Sequence, residues 1–549
     1  MNRLKIKLFL LLLALPVIGF SQRKSNEYLS LVNNIIPKPV SVKLSKEKTV
    51  VIGNTSVIVA DSNFLNQAQY LAEQLQSQCG LRLHIKPVVA KNESAIQLAF
   101  DSKQVTQPEM YLLSVKDNRI VIRAKDVAGL VHGIQTLLQL LPLQHVQTAL
   151  VSPVEIEDYP RFRYRGMHLD VSRHFFPVSF IKKYIDYISF HKFNTFHWHL
   201  TDDQGWRIEV KSYPRLTSVG AWRDSTLIGH FRATPARYDG IPYGGFYTQE
   251  EVKDVIQYAA IRGITIVPEI DIPGHSRAAI AAYPEFSTSP DTAWQVATTW
   301  GTYNRKNNVL APNEKTFAFL KSVFSEVADL FPSPYVHIGG DECSKIWWKA
   351  DPGTQAFIKA HGLKDEQALQ LYFIEQAIET LHAKGKKVIG WDEILEDDLD
   401  TSAIIMNWRG VKAAITAAEN GHNVIMTPDK YLYFNYYQSK NRDTLAIGGH
   451  LPLDSVYLFE PIPKAIAEQG LSNRVLGAQG NVWTEYIPNF SRLEYMIFPR
   501  LTALSEVLWT DSRQKDYNDF KRRLKESAIP RYLFWNSSYF KDYDTPGKK

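Results

Sequence analysis

The sequence predicts an α/β fold: a (β/α)8 TIM barrel preceded by a small α+β domain. Apolar, β-rich runs alternate with helical stretches, which is typical of parallel strands covered on both faces. Eight such runs occur within residues 164–483: YRGMHLDVS, TFHWHLTD, TIVPEID, YVHIGGDE, VIGWDE, AIIMNW, NVIMTP and VLGAQGNVW. Polar and aromatic residues follow the runs, as a barrel's reactive groups follow its strands. A doubly wound open sheet is the alternative, but no GxGxxG or GxxxxGK[ST] follows any run.

The first 21 residues have the composition of an export signal. A basic start, MNRLKIK, precedes an apolar run at residues 8–20, and small residues Gly19 and Ser21 suit cleavage before Gln22. A membrane anchor is the alternative, but the run has 13 residues and spanning a bilayer takes about 20. No cysteine follows the run to carry a lipid. The sequence therefore predicts a signal peptide at 1–21 and an exported protein, periplasmic or secreted.

Residues 22–157 are predicted to form the small α+β domain. Short strands are predicted from TVVIGNTSVIVA, RLHIKPVV, AIQLAF and RIVIRA. Two amphipathic stretches, FLNQAQYLAEQLQSQCG and DVAGLVHGIQTLLQLLP, predict helices closed by Gly80 and Pro142. The segment contains no cluster of convergent reactive groups, which indicates a supporting role.

Residues 158–510 are predicted to form the barrel, and residues 511–549 a C-terminal helical segment and tail. Of the 549 residues, 45% are hydrophobic and 22% charged, which is typical of a globular protein with a large core. The net charge of +6 is spread along the chain, whereas a nucleic-acid-binding protein concentrates its charge in a basic patch. Cys79 and Cys343 fall in different predicted domains, so we expect two free thiols.

Carboxylates and tryptophans follow the predicted barrel strands. Sugar rings stack on aromatic faces, and sugar hydroxyls bond to carboxylates, so this combination predicts a carbohydrate site. The residues concerned are Asp170, Arg173, Asp202, Asp203, Glu269, Asp271, Asp341, Glu342, Trp391, Asp392, Glu393, Trp408, Trp483 and Glu485.

Two other classes of protein fit part of this pattern. A metal hydrolase could draw its ligands from His197 and His199 of the HWH run, joined by Asp271 and His275. The sequence contains no HExxH motif, and histidines on barrel strands often serve as hydrogen-bonded core residues. A non-catalytic glycan-binding protein would need the aromatic residues but no poised acid.

Six motifs, taken together, resemble one enzyme family. In chain order they are LDVSRHF, HLTDDQGWRIE, PEIDIPGH, HIGGDE, GWDEI and GAQGNVWTE. They resemble the β-N-acetylhexosaminidases of glycoside hydrolase family 20, and GLVHGIQTLLQLLP in the small domain resembles the helix that closes the family's N-terminal domain. The resemblance covers nearly the whole exported chain. It implies a retaining glycosidase that acts through the 2-acetamido group of its glycan substrate, without a cofactor or a metal.

The resemblance assigns the chemistry to the adjacent carboxyls of HIGGDE. It implies that Glu342 is the general acid and later the base, while Asp341 bonds the acetamido N–H and stabilises the charged intermediate. Because two close acids raise the pKa of one of them, we expect a protonated Glu342 near neutral pH. Asp202 and His275 resemble the pair that tunes these two carboxyls.

Other positions resemble the family's substrate-binding residues. Arg173 resembles the arginine that binds the 3- and 4-hydroxyls, with a structural ion pair as the alternative for it. Tyr433 resembles the tyrosine that bonds the acetamido carbonyl, and Glu485 the carboxylate on the 4-hydroxyl. Such a pocket closes around one terminal N-acetylglucosamine or N-acetylgalactosamine, so we expect exo cleavage. In the family, tryptophans form the walls that hold the sugar face and the acetamido methyl. The residues that resemble them here are Trp391, Trp408 and Trp483.

One position departs from the family pattern. In YLYFNYYQ, Asn435 stands where the family usually has an aspartate near the 4- and 6-hydroxyls. Asparagine can still bond a hydroxyl, so a neutral replacement is one interpretation. The other is that the loss of a negative charge removes repulsion and admits 6-sulfated sugars. Within the family, the main rival is a lacto-N-biosidase, which releases a disaccharide from a more open pocket.

Overall fold

The computed structural model describes residues 31–90, 93–396, 398–441 and 444–544, so the predicted signal peptide lies outside it. The chain divides into two compact units. The first comprises residues 31–161 together with Phe190–Lys192 and Trp509–Asn536. The second comprises Phe162–Ser189, Phe193–Leu508 and residues 537–544. Across these described ranges, no helix combines the length and the apolar character that a membrane crossing requires.

A seven-stranded mixed sheet forms the centre of the first unit. A separate antiparallel pair joins Val50–Gly53 to Thr148–Val151. Every predicted strand run contains a strand, and the structure adds strands that were not predicted, including Tyr111–Lys116. Its buried residues alternate with less buried ones, as the period of a strand with one covered face requires. In sheet order the strands are Ser41–Leu44, Val154–Asp158, Tyr111–Lys116, Arg119–Ala124, Ala95–Phe100, Val57–Ala60 and His84–Lys86.

The two predicted helices of the first unit are Leu65–Cys79 and Val127–Gln139. Asp126 starts the second helix, because its carboxylate accepts a hydrogen bond from a first-turn backbone N–H at 2.7 Å. The first helix ends at Gly80, whose φ of 73° is a left-handed conformation that glycine adopts without strain. Both helices are confirmed, and the second ends just before the predicted stop at Pro142.

The first unit contains a buried ion pair. Lys192 Nζ donates to Asp158 Oδ2 at 2.8 Å, and neither side chain has exposed surface. The Tyr111 hydroxyl donates to the same oxygen at 2.7 Å, and the Trp509 indole N–H donates to the other at 2.8 Å. We call these four residues the Asp158 cluster. Since its charges are paired and hydrogen-bonded, they are tolerated inside the protein.

The C-terminal segment is helical, as its sequence predicts. Its helices are Tyr517–Arg523, Leu524–Ala528 and Ile529–Phe534, and the middle one has π-helical hydrogen bonding. Asp516 starts the first of them by accepting from two backbone N–H groups. Most of this segment belongs to the compact first unit.

Eight parallel strands close into a barrel in the second unit. Each of the eight predicted runs contains one strand of the barrel, which confirms the (β/α)8 barrel and excludes the open sheet. The first strand pairs with the eighth, with Tyr164 opposite Gly477, and this pairing closes the barrel. The continuous apolar runs reflect burial on both faces. In chain order the strands are Tyr164–Asp170, Thr195–His199, Thr265–Ile272, Tyr335–Gly339, Lys387–Trp391, Ile404–Asn407, Val424–Met426 and Val475–Gly480.

Long helices alternate with these strands along the chain. Several starts are fixed by the side chain that precedes the helix: Thr248 forms a capping box with Glu251, and Asn313 and Asp365 accept from first-turn N–H groups. The longer helices are Val178–Phe190, Gln249–Ile261, Glu314–Leu330, Glu366–Ala383, Val411–Glu419, Phe490–Ile497 and Arg500–Trp509.

Short elements lie in the loops that follow the strands, on the face where a barrel carries its reactive groups. The paired short strands are Thr201–Asp202 with Gly205–Trp206, Trp222–Arg223 with Tyr243–Gly244, and Leu227–Ile228 with Arg237–Tyr238. The short helices are Arg215–Ser218, Arg277–Ala282, Lys345–Ala350, Pro352–Ala360, Asp429–Leu432, Leu453–Leu458 and Lys464–Glu468.

Candidate active site

The fourth barrel strand ends in a turn that presents two adjacent carboxyls, Asp341 and Glu342. The turn is made by Gly339 and Gly340, whose φ angles are 69° and 98°. A Cβ atom at Gly339 would collide with the Asp271 carboxylate, so the position requires glycine. Glu342 itself has a φ of 42°, a region that few residues other than glycine adopt. The glycines of HIGGDE therefore serve to aim the two acids.

His275 lies close to three carboxyls. Its Nε2 is 3.6 Å from both Asp341 Oδ2 and Glu342 Oε2, and its Nδ1 is 2.9 Å from Asp202 Oδ1. Burial opposes a charge on the ring, but the carboxylates of Asp202 and Asp341 raise the pKa of His275 well above its usual value. His275 is therefore an imidazolium that donates to Asp202 and attracts both adjacent carboxyls. The structure thus brings together the four residues to which the sequence assigned the chemistry.

The pKa values of the two adjacent carboxyls shift in opposite directions. Burial raises the pKa of Asp341 despite the opposing charge of His275, and the neighbouring carboxylates of Glu269 and Glu342 act in the same direction as burial. Burial also acts on Glu342, but the nearby His275 ring lowers its pKa overall, with help from Arg173. The expected raised pKa of Glu342 is therefore wrong. The sequence places the two acids side by side but does not show that two cations face Glu342.

Two more buried carboxyls surround Asp341. Burial and the charge of Asp341 raise the pKa of Asp271 well above its usual value, and the same two causes raise that of Glu393. Asp271 Oδ1 accepts from the backbone N–H of Gly340 at 3.1 Å. Negative charge is crowded around Asp341, so a hydrogen-bond donor or a positive charge placed there would stabilise its ionised form.

Arg173 joins the ends of the first two barrel strands. Its Nη1 lies 2.8 Å from Asp202 Oδ2 and 3.5 Å from Asp170 Oδ2, and its Nε donates to Gln204 at 2.9 Å. Its guanidinium is 5.1 Å from the centre of the Trp483 ring. The ion pair that the sequence left open is present. The same contacts hold the guanidinium within the site, beside an aromatic wall.

Asn435 and Glu485 lie along one small cleft with Trp483. Burial raises the pKa of Glu485 to about 7, because it outweighs the attraction of Arg173. Asn435 is 5% exposed, and its Oδ1 is shielded from solvent without a hydrogen-bond partner among the described residues. The two positions assigned to the 4- and 6-hydroxyl region therefore line the same cleft. One of them, Asn435, has an acceptor oxygen that receives no hydrogen bond from the part of the chain that the structure describes.

Four aromatic side chains form a continuous wall. Trp408 stacks on Tyr433 with ring centres 6.1 Å apart, and Tyr433 lies 6.4 Å from Trp483. Trp391 is 5.8 Å from Trp483. The indole N–H of Trp391 donates to Glu269 at 2.8 Å and that of Trp408 to a carboxyl at 2.9 Å, which fixes both ring planes. The predicted tryptophans thus converge, with Trp391 almost fully buried.

Histidines surround Glu269 inside the barrel. His199 Nδ1 is 2.5 Å from Glu269 Oε2, and its Nε2 is 2.8 Å from Asp202 Oδ2. Burial opposes a charge on His199, yet these carboxylates raise its pKa to about 10. His197 lies 3.0 Å from Glu269, but burial lowers its pKa to about 4. A charged chain therefore runs from Glu269 through His199 to Asp202, which also bonds His275.

The same residues bear on the metal alternative. Some of these groups lie close enough to hold a metal ion by distance, including His197 with Glu269 and His337, and Asp271 with His275 and Asp341. A histidine must lose its proton to bind a metal ion. The carboxylates beside His199 and His275 raise the pKa of both rings, so a metal ion bound to either ring would have to displace a proton.

The site also contains several polar residues that were not predicted from the sequence. Asn308 Nδ2 donates to Asp203 Oδ2 at 2.9 Å across 105 residues of chain, and the Thr302 hydroxyl bonds the same oxygen. Gln204 accepts from Arg173 at 2.9 Å. Gln204 directly follows two strand-end aspartates and could have been found from that position. No local pattern marks Asn308.

Profiles of two families match the chain. That of glycosyl hydrolase family 20, catalytic domain, matches residues 162–512, and that of glycosyl hydrolase family 20, domain 2, matches residues 32–159. A β-hexosaminidase of Porphyromonas gingivalis is 42% identical over 504 residues, which cover 90% of this chain and 63% of that protein. The chain thus spans less than two thirds of that relative's length. A β-hexosaminidase of Vibrio furnissii is 37% identical, over 86% of this chain and 76% of its own.

Solved structures agree with these matches. The exo β-N-acetylglucosaminidase of Vibrio harveyi, in complex with N-acetylglucosamine, has a TM-score of 0.82 and 34% identity. That comparison covers 93% of this chain and 79% of the other. The β-N-acetylhexosaminidase of Streptomyces coelicolor has a TM-score of 0.80 and 29% identity, over 94% and 99% of the two chains. With the barrel, the carboxyl pair and both domain matches in place, this chain belongs to glycosyl hydrolase family 20.

Proposed function

We propose that the protein is an exo-acting, retaining β-N-acetylhexosaminidase. It removes terminal, non-reducing β-linked N-acetylglucosamine or N-acetylgalactosamine from glycans. The observation that carries this proposal is the position of His275, whose Nε2 lies 3.6 Å from a carboxyl oxygen of both Asp341 and Glu342. The printed names of the Vibrio relatives support the substrate class.

In the first step, the acetamido oxygen of the substrate attacks the anomeric carbon of the same sugar. The bond from that carbon to the leaving oxygen breaks, and Glu342 gives a proton to this oxygen. Glu342 is 40% exposed, so a bound glycan that covers it removes water and raises its pKa toward the protonated form. General acid catalysis of this kind is worth about 10²–10⁴-fold in rate.

Asp341 stabilises the charged intermediate. Its Oδ1 is shielded from solvent and has no hydrogen-bond partner within the described residues, so the acetamido N–H supplies a donor that this oxygen lacks. The positive charge that develops on the ring of the oxazolinium intermediate then favours ionised Asp341. Tyr433 donates its hydroxyl proton to the acetamido oxygen and orients it for attack.

In the second step, water attacks the anomeric carbon on the face that the aglycone left. Glu342 takes a proton from this water, the bond from the carbon to the acetamido oxygen breaks, and the acetamide re-forms. The sugar leaves with its original β configuration, because the two displacements each invert the carbon. Proton and electron pairs balance without a metal or a cofactor.

The pocket for the terminal sugar is formed by the aromatic wall and the charged groups beside it. Trp391, Trp408 and Trp483 enclose the acetamido methyl and one sugar face. Arg173 and Glu485 bind the hydroxyls at the far end, and the ion pair of Arg173 with Asp202 holds the guanidinium there. A pocket closed at this end admits one terminal sugar, which is the basis for proposing exo cleavage.

Two alternatives remain to be separated by experiment. A lacto-N-biosidase would cleave p-nitrophenyl lacto-N-bioside and leave the monosaccharide substrate intact. A non-catalytic glycan-binding protein would bind N-acetylglucosamine without releasing any product. Intact Asp341 and Glu342, aimed by a glycine turn, favour catalysis over binding alone.

The replacement at Asn435 suggests tolerance of a 6-sulfate. The absence of a negative charge at Asn435 is the supporting observation. The test compares turnover of 4-nitrophenyl N-acetylglucosaminide with its 6-sulfated form by wild type and Asn435→Asp. We expect the variant to lose most of any activity on the sulfated substrate. Failure of both proteins on the sulfated substrate would remove this idea.

We also propose that the protein is exported, periplasmic or secreted, after cleavage of residues 1–21. The basic start and the short apolar run support this proposal. Mass spectrometry of the mature N-terminus after expression in a bacterium is the test. A chain that begins at Gln22 supports export, and an intact Met1 in the cell pellet contradicts it.

The experiment that tests the proposed activity is release of 4-nitrophenol from its β-N-acetylglucosaminide in the presence of EDTA. We expect strong activity in the wild type and its collapse in Glu342→Gln and in Asp341→Asn. Full activity in EDTA would dispose of the metal alternative. No release by the wild type would contradict the proposal and direct attention to lacto-N-bioside and then to binding.

A further inference from the structure

A cavity of about 630 Å³ is lined by segments that follow the third and fourth barrel strands. We call it the rim cavity and define it by six of its lining residues. They are Arg277, Trp294, Arg305, Lys306, Asn307 and Trp347. The proposed mechanism uses none of these side chains, although all lie on segments that follow the third and fourth barrel strands.

The rim cavity is tied to the catalytic groups by short stretches of chain. Arg277 stands two residues after His275, and its backbone N–H donates to Asp203 Oδ1 at 3.1 Å. Asn307 precedes Asn308, whose side chain bonds the other oxygen of that aspartate at 2.9 Å. Trp347 lies on the helix Lys345–Ala350, which begins three residues after Glu342. The rim cavity and Glu342 therefore lie on segments that follow the same two barrel strands, on the face where a barrel carries its reactive groups.

Arg277 forms a fixed part of the cavity wall. Its Nε donates to the Gln295 carbonyl at 2.8 Å, and its Nη1 donates to the Asn307 carbonyl at 2.8 Å. Its guanidinium lies 4.2 Å from the centre of the Trp294 ring. The stack leaves a rigid, positively charged surface, because a guanidinium keeps its charge when it packs on an aromatic face.

The cavity has an excess of positive charge. Arg305 and Lys306 are exposed, and neither forms an ion pair with any carboxylate of the described residues. Asp351 is the acid that lines the cavity, but its carboxylate is engaged as a helix cap. It accepts from the backbone N–H of Thr354 at 2.8 Å and from the Thr354 hydroxyl at 2.6 Å. Three cations thus face one occupied carboxylate.

Trp347 adds an unmet donor to this surface. Its indole Nε1 is shielded from solvent and has no hydrogen-bond partner in the described part of the chain. By contrast, the indole N–H of Trp294 donates to the Ser289 carbonyl at 3.0 Å. Buried donors are normally paired, so the Trp347 N–H indicates a place for an acceptor such as a sugar oxygen.

We propose that the rim cavity binds the sugar on the reducing side of the cleaved bond and prefers one that carries a carboxylate or a sulfate. Aromatic faces, a free indole donor and unpaired cations together match an anionic pyranose and have no counterpart on a neutral one. The inference rests on the proposed function, because it needs a glycan held with its cleaved bond at Glu342.

The test compares kcat/KM on matched disaccharides. The carboxylate pair is N-acetylglucosamine β-linked to glucuronate or to glucose, and the sulfate pair is the same sugar β-linked to 6-sulfogalactose or to galactose. We expect wild type to prefer the charged member of at least one pair by roughly twofold to fivefold, as exposed ion pairs allow. The two pairs distinguish a carboxylate from a sulfate.

Variants locate the preference. The double variant Arg305→Gln/Lys306→Gln is expected to lower the charged-to-neutral ratio to about one. Lys464→Gln, which removes an 88% exposed lysine on a separate helix, is the control and keeps the wild-type ratio. Trp347→Phe is expected to weaken charged and neutral disaccharides alike, because it removes the indole N–H and keeps the ring.

Each outcome bears on the inference. Equal kcat/KM within both pairs for the wild type overturns it, and so does a preference that survives in the double variant. Release of 4-nitrophenol from its N-acetylglucosaminide, run in parallel, tests the proposed function separately. If that substrate and the disaccharides all stay intact, the proposed function fails. Calorimetric binding of the disaccharides then decides, with equal affinity of charged and neutral members overturning the cavity assignment.

Discussion

The Asp158 cluster of the first unit and the group around Asp341 in the barrel are both buried and charged, and they differ in how their hydrogen bonds are completed. Asp158 Oδ2 accepts from Lys192 and Tyr111. Asp158 Oδ1 accepts from the Trp509 indole and from a backbone N–H at 3.1 Å. Both oxygens are therefore satisfied by the protein itself, with a cation to balance the charge.

The barrel group is incomplete by the same measure. Asp341 Oδ1, Asp271 Oδ2 and His275 Nε2 are shielded from solvent and lack a hydrogen-bond partner in the ranges that the structure describes. The pKa values of Asp341 and Asp271 are raised, and that of His275 is raised too. Burial of charge is common to both clusters, so it does not mark a functional site. A functional site is marked instead by buried polar atoms that lack a hydrogen-bond partner and belong to groups with shifted pKa values.

Of the variants considered, Glu342→Gln should have the largest effect on activity, and it tests whether the group around Asp341 is catalytic. We expect kcat on 4-nitrophenyl N-acetylglucosaminide to fall by about 10²–10⁴-fold, because glutamine has no proton to transfer. The free energy of unfolding should change by about 1 kcal/mol or less, since Glu342 is 40% exposed. Urea unfolding and initial rates are the measurements.

Glu250→Gln is the matched control for this variant. Its side chain is 77% exposed and pairs with Lys253 on the protein surface, so activity and stability should both stay at wild-type values. A loss of activity in Glu342→Gln that is matched by a loss of folded protein would assign Glu342 to structure rather than chemistry.

Lys192→Met should lower stability without affecting catalysis, and it tests whether the Asp158 cluster is structural. Removing the cation leaves Asp158 buried without a balancing charge, and we expect the free energy of unfolding to fall by about 3–5 kcal/mol. Rates per folded molecule should stay near the wild-type value, because Lys192 belongs to the first unit. Chemical unfolding followed by circular dichroism measures the change.

A surface lysine provides the control. Lys182 pairs with Asp254 at 2.7 Å and is 27% exposed, so Lys182→Met should lower the stability by about 1 kcal/mol or less. Wild-type stability in Lys192→Met would show that the buried pair contributes no net stabilisation. The Asp158 cluster could then not be described as a stabilising counterpart of the barrel group.

Two tryptophans of the aromatic wall sharpen the comparison within the barrel. The indole of Trp391 donates to Glu269, whose pKa lies well below its usual value because the surrounding histidines outweigh its burial. The indole of Trp408 donates to Glu393, whose pKa burial raises. The first acceptor is ionised and the second is protonated, so the two hydrogen bonds should differ in strength.

We therefore expect Trp391→Phe to lower the free energy of unfolding by about 1.5–3 kcal/mol and Trp408→Phe by about 0.5–1.5 kcal/mol. Each variant is the control for the other, because the substitution is the same. Urea unfolding at pH 7 makes the measurement. Equal losses would mean that the charge states assigned to Glu269 and Glu393 do not differ.

Glu485→Gln should give a modest effect on stability that depends on pH. Burial raises the pKa of Glu485 from 4.5 to about 7, so the folded protein holds this proton more tightly than the unfolded chain. The stability that results is fully present below pH about 4.5 and is lost as the pH rises through about 7. Glutamine does not ionise, so the variant lacks this loss.

The difference in unfolding free energy between wild type and Glu485→Gln should therefore change by about 1–2 kcal/mol between pH 4.5 and pH 8, after allowance for partial exposure. Urea unfolding at both pH values measures it. The exposed Glu250→Gln should show no such change. A constant difference across this range would contradict a raised pKa at Glu485.

Much of this molecule follows from local patterns of sequence. Strands buried on both faces are apolar along their length, which is why eight runs gave eight barrel strands. Helix limits also follow locally, since Asp126 and Gly80 cap helices through bonds to their own neighbours. The carboxyl pair could be placed for the same reason, because parallel strands bring all their carboxyl ends to one face of the barrel.

Tertiary structure alone decided the charges and the partners. The pKa of Glu342 depends on His275 and Arg173, which lie 67 and 169 residues earlier in the chain. Asp158 finds Lys192 in its own unit, and Asn308 reaches Asp203 across 105 residues. The local sequence pattern reflects interactions between residues that are close together in the chain. Electrostatic and hydrogen-bond energies depend on distances through space, and those exist only once the chain has folded.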